Sequence, residues 1–218
     1  MKRILFFAVS ILLFTMASCE GNEPNSENDK YENGHEYVDL GLPSGTLWAT
    51  CNIGATTPEN GGYYFQFSST KPMRIGEYCS KFHDYYVENK INKLELLDDA
   101  AHINWGGRWR IATSEEFQEI KDLCSWVWGT RSSADGFETQ GYLIIGPSGK
   151  SIFLPAVGYK TNDHIYDKND GYYMTTDIIY EGYNVYFNIN KSDIDLCSTN
   201  YYGPDTYDGL SIRPVFSR

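Results

Sequence analysis

Five cysteines, four histidines and a late group of aspartates are the residues of this chain best suited to chemistry. A thiolate attacks electrophiles or holds a soft metal when a base or cation stands beside it. Here no Cys-x-x-Cys pair occurs. His35, His83, His102 and His164 lie far apart, none in a His-Glu-x-x-His run and none next to a cysteine. Phosphate-binding glycine loops and a Gly-x-Ser-x-Gly elbow are absent as well. Triads are assembled by geometry and not by order, which leaves a three-dimensional constellation as the remaining catalytic route. Asp193, Asp195, Asp205 and Asp208 form an acidic cluster. A hard cation takes roughly six to eight oxygens, but a solvated acidic loop accounts for the same residues. The reading is therefore of no catalytic residue, no metal and no cofactor. Tyrosines come in adjacent pairs: Tyr63-Tyr64, Tyr85-Tyr86, Tyr172-Tyr173 and Tyr201-Tyr202. Neighbours on a strand face opposite ways, so one ring of each pair is expected in the core and the other outside. Exposed rings stack on ligands or anchor protein interfaces. Tyr201, Tyr202 and Tyr173 are the candidate binding residues, with the first two preferred beside Gly203-Pro204. Arg213 is expected in a buried ion pair.

The elements that carry these residues begin with an address. Lys2 and Arg3 precede thirteen apolar or small residues, Ile4 to Met16. That run suits a signal-peptide core and falls short of the ~20 residues a membrane span needs. Ala17-Ser18-Cys19 follows directly and resembles a bacterial lipobox, which implies cleavage before Cys19 and lipid attachment at its thiol. Loss of Lys2 and Arg3 then takes the net charge from −11 to −13. Residues 19–35 are polar and acidic, read as a disordered tether. The acidic balance argues against a nucleic-acid partner, which needs clustered Lys and Arg. A composition 41% hydrophobic and 22% charged excludes a disordered or multi-span membrane chain.

Residues 36–218 alternate short apolar runs with turn residues and read as one domain. Strands are expected at 36–42, 46–51, 61–67, 141–146, 151–154, 172–176, 185–189 and 210–215. Residues 70–97 read as a long loop in which Leu94, Leu96 and Leu97 must pack. Two short helices are expected. One covers Asp98 to Trp105 and is ended by Gly106-Gly107. The other starts at the capping box Thr113-Ser114-Glu115-Glu116 and places Phe117, Ile120, Leu123 and Cys124 on its apolar face. Strands before, between and after the helices give an α+β fold with antiparallel sheets.

Six ordered blocks carry a resemblance. They are Tyr37 to Gly45, Leu47 to Ala55, Asn104 to Arg110, the capped helix to Trp126, Ser151 to Tyr159, and Gly209 to Val215. In this order they resemble the Fibrobacter succinogenes major paralogous domain family, which is common in surface lipoproteins of Bacteroidota and grouped with C-type-lectin-like folds. The family pattern has Pro at Ala112, Trp-Ser-Ser at Tyr173-Met174-Thr175, and Trp-Gly-Glu at Gln66-Phe67-Ser68. The resemblance implies a C-type-lectin-like fold over 36–218, and the acidic tether resembles a surface-export signal. C-type lectins hold calcium with Glu-Pro-Asn and Trp-Asn-Asp motifs. Here Glu23-Pro24-Asn25 lies in the tether and Trp-Asn-Asp is missing. The related formylglycine-generating enzymes need a late cysteine pair, and Cys197 stands alone. Four cysteines of an exported domain allow three pairings. Cys51 and Cys124 lie in family-like blocks, so they are the expected pair, leaving Cys79 with Cys197. Alternatively, Cys124 is a small buried hydrophobe.

The expectation is a non-enzymatic, lipid-anchored outer-membrane protein displaying a binding domain for a glycan or protein ligand. The alternative is a structural or accessory subunit of a surface assembly such as a pilus.

Overall fold

Asn33-Gly34 opens the folded part. Their φ angles of 45° and 83° are the paired positive values that a two-residue type I′ hairpin requires. The turn joins β1 (Tyr31–Glu32) to β2 (His35–Asp39). A computed structural model describes residues 30–76, 82–134, 136–179, 183–199 and 203–218. The expected leader and Cys19 lie outside these residues, as do Cys79, Tyr201 and Tyr202. The expected tether is too long by several residues, because 31–35 already belong to this hairpin. Glu32 fastens it: its carboxylate accepts from Arg108 Nη2 at 2.6 Å, its carbonyl from Trp109 Nε1 at 2.8 Å. Asn33 Nδ2 adds a bond to Trp105 O.

The chain continues through β3 (Thr46–Ala49), α1 (Ala100–Trp105), β4 (Arg110–Ile111) and α2 (Ser114–Leu123). Then come β5 (Ser125–Ser132), β6 (Glu138–Ile145), β7 (Ser151–Pro155), β8 (Tyr159–Thr161) and β9 (His164–Tyr166). Last are β10 (Gly171–Ile178), β11 (Asn184–Ile189), β12 (Ile194–Ser198) and β13 (Pro214–Ser217). Short π and 3-10 helical turns at Phe82–Val87 and Leu96–Asp98 interrupt the long connection before α1. Every ladder between these strands is antiparallel. One sheet runs β1-β2-β3-β13-β4, so the last strand lies between two early ones. The others run β5-β6-β7, β10-β11-β12 and β8-β9. The α+β reading holds at this level.

Both helices start as their sequences dictate. Thr113 Oγ1 accepts from Glu116 N at 3.1 Å, and Glu116 Oε2 accepts from Thr113 N at 2.9 Å. Asp99 caps α1 through His102 N, and Gly106 at φ 66° ends it. Phe117 and Ile120 are buried as expected, but Leu123 is exposed and Cys124 only half-buried. Of the three loop leucines only Leu94 packs, while Leu96 and Leu97 face solvent.

Two apolar clusters share the same strands. Leu47 and Ala49 of β3, Tyr172 and Met174 of β10, and Phe216 of β13 enter the first, with Trp105 and Trp109. The intervening Trp48, Tyr173 and Val215 enter the second, with Phe117, Ile144 and Leu154. These strands are therefore buried on both faces, and side-chain alternation only selects the cluster. The expected strand 61–67 reduces to a single bridge, Phe65 to Leu210, and continuous pairing near the C-terminus begins only at Pro214.

Candidate functional site

Arg213 is fully buried, and its fork meets no carboxylate. Nε donates to Asn52 Oδ1 at 2.8 Å, Nη1 to the carbonyls of Ala49 and Thr50 at 3.0 and 2.7 Å, and Nη2 to Phe153 O at 2.9 Å. The expected ion pair is thus replaced by four neutral acceptors. Burial lowers the guanidinium pKa, yet arginine keeps its proton inside proteins. Asn52 passes the constraint on, donating Nδ2 to Gly61 O at 3.1 Å. Tyr173 lies in the same layer, also fully buried, with its hydroxyl on Pro155 O at 2.6 Å. That position corrects the binding role expected for it: β10 has no exposed face there. Tyr64 donates to Val157 O at 2.5 Å, and burial pushes its pKa up to about 12.

These contacts shape a cleft of about 780 Å³. Residues 56–62 form one wall, the turn between β5 and β6 with the start of β6 a second, and residues 156–157 and 165–169 the remainder. Two glycines let the first wall approach its neighbours. Gly62 has φ 72°, and a Cβ there would lie 2.2 Å from Ile53 O; one on Gly61 would lie 2.8 Å from a Val157 methyl. Only residues without side chains fit at this distance.

Hydroxyls, amides and rings dominate the lining, with one carboxylate, Glu138, and one ammonium, Lys168. Thr139 on β6 is 6% exposed, and its Oγ1 has no hydrogen-bond partner. Pro155 is the last β7 residue paired with β6, opposite Gly141, so the ladder ends just short of Thr139. The rim carries Phe137 and Ile165, 56% and 38% exposed. The sequence reading singled out none of these residues. Asn60-Gly61-Gly62 and Gly136 are the turn signals that mark the two principal walls, and the second gains meaning only once 125–132 is recognised as a strand.

A small recess near the N-terminal hairpin brings His35, Cys51 and Trp105 together. His35 stacks on Trp105 with ring centroids 3.7 Å apart, and burial lowers its pKa. Cys51, Cys124 and Cys197 are free thiols, so the expected Cys51–Cys124 bridge is not formed. Cys51 borders this recess, whereas Cys124 ends α2 against the second cluster. Burial pushes the Cys124 thiol up to about 11 and also raises that of Cys197, leaving neither poised as a nucleophile. The late aspartates disperse. Asp195 pairs with Lys121, and Asp208 accepts from Thr161. Among the described residues no three His, Cys, Asp or Glu side chains come together as a metal site, and no helix is long and apolar enough to cross a membrane. In comparisons with known proteins, no family model, no curated protein and no solved structure matches this chain.

Proposed function

We propose that this chain is a non-enzymatic, lipid-anchored outer-membrane protein whose C-type-lectin-like domain binds a glycan or protein ligand in the cleft described above. The composition of that cleft carries the reading. Its volume lies within the roughly 300–1,000 Å³ usual for small-ligand sites. Its polar groups are mostly hydrogen-bonding amides and hydroxyls, with Glu138 and Lys168 the two charged side chains of the lining, whereas general acid–base chemistry needs titratable groups positioned on the reacting atoms. The lipid anchor rests on the lipobox-like residues before Cys19. Feeding cells an alkyne-tagged fatty acid tests it: label enters the wild-type chain and is lost from Cys19→Ala. Equal labelling of the two would overturn the anchor.

One observation favours an accessory role in a surface assembly. Strand β5 spans eight residues, pairs on one side with β6 among the described residues, and exposes Val127. Such an edge can accept a strand from a partner. Stoichiometric co-purification of a second surface protein, lost on changing Val127 to lysine, would support it.

A further inference from the structure

We infer that the cleft takes an uncharged, hydroxyl-rich ligand, a short neutral oligosaccharide, and that the Thr139 hydroxyl is its innermost polar contact. This rests on the binding-domain reading above and narrows its ligand. Three observations converge. First, charge: in a chain of net charge −11, the cleft lining holds a single carboxylate and a single ammonium, Glu138 and Lys168. The two lining charges cancel, so the lining itself selects neither an anion nor a cation, and a hard cation would find too few carboxylate oxygens. Second, donors: Asn60 accepts from Gly62 N through Oδ1 at 2.9 Å, leaving its amide N–H groups for a ligand. Gln140 and Asn169 add amides that both donate and accept. Sugar hydroxyls also do both, and the rim rings and methyls of Phe137 and Ile165 suit the C–H faces of a pyranose.

Third, Thr139 itself. A buried hydroxyl without a partner is a standing cost to the folded state, and an unsatisfied polar group in a native interior calls for a reason. Rotation about χ1 carries the hydroxyl oxygen among three staggered positions, so it can turn to an incoming polar group. A site built to pair a hydroxyl strongly rejects ligands that lack one.

The test uses the full chain, purified in detergent, against two probe sets: short gluco-, manno- and galacto-configured oligosaccharides, neutral and sulfated, and a panel of surface proteins. Neutral oligosaccharides are expected to bind equally well with and without EDTA. Thr139→Val, which keeps shape and removes the oxygen, should weaken that binding about tenfold while leaving thermal stability equal or higher. Thr139→Ser should restore most of it. Neutral binding that ignores Thr139→Val, needs calcium, or is outcompeted by sulfated sugars overturns the inference. Binding confined to the protein panel also overturns it, while leaving the binding-domain reading intact. No binding in either set overturns both.

Discussion

Replacing Arg213 by methionine would strip four acceptors on two segments of a fully buried donor: Asn52 and the carbonyls of Ala49 and Thr50 on one, and the carbonyl of Phe153 on the other. Each orphaned buried group costs about 1–3 kcal/mol, so the expected loss is at least about 3 kcal/mol, read from the urea midpoint. Arg213→Lys should recover little, because a single ammonium cannot span acceptors on both sides of a planar fork. Full stability in the lysine variant would refute this role. Glu116 offers a pH-dependent counterpart. Burial pushes its pKa up, but the Arg110 guanidinium, at 2.6 and 2.7 Å, with Thr113 and Thr46, more than offsets this and holds it below its ordinary 4.5. A carboxyl with a depressed folded pKa contributes stability in full above its unfolded value and loses it as pH falls through the folded one. Glu116→Gln should therefore cost stability at neutral pH and flatten the decline on acidification below about pH 4.5. Parallel slopes for the two proteins in acid would reject the assignment. At this scale the sequence was a mixed guide. Arg213 could be flagged as buried, but its acceptors lie on segments far apart in the chain, which no local pattern reveals. Tyr173 was misplaced because alternation predicts a wet face only when a sheet has one.

Gly62 connects residue to element. With φ 72° and Ile53 O only 2.2 Å from a hypothetical Cβ, Gly62→Ala must move the wall formed by residues 56–62. The expected result is a destabilisation of about 1–3 kcal/mol, drawn from the cost of a strained left-handed residue, with weakened ligand binding in the cleft. Unchanged stability and binding would show that the wall can shift freely. Elements defined by neighbours in sequence were legible: the α2 capping box, the β6–β7 hairpin around Pro147-Ser148-Gly149, the Gly106 stop. The β1–β2 hairpin was equally local, and its Asn33-Gly34 signal was overlooked because the surrounding polarity reads as tether. Elements defined by distant partners were not legible. Strand β4 is two residues long and exists because β13 lies beside it. Strand β5 directly follows α2, so its first residues read as the helix end.

Across the whole molecule the two apolar clusters cannot melt independently, since β3, β10 and β13 contribute alternate side chains to both. Trp109 reports on the first and Trp48 on the second. Urea unfolding followed by tryptophan fluorescence and by far-ultraviolet circular dichroism should give one shared midpoint. Two separated transitions would show that the clusters are independent units. The clasp at the start of the fold bears on a different property, resistance to pulling. Strands β1 and β4 stand at opposite ends of their sheet's strand order, yet Glu32 grips Arg108 and Trp109, the residues leading into β4. Tension entering at Lys30 therefore loads both margins of the sheet at once. In the proposed lipid-anchored setting, drag on a captured ligand would leave the molecule by this route, and the Glu32–Arg108 clasp would be among the first bonds to feel the strain.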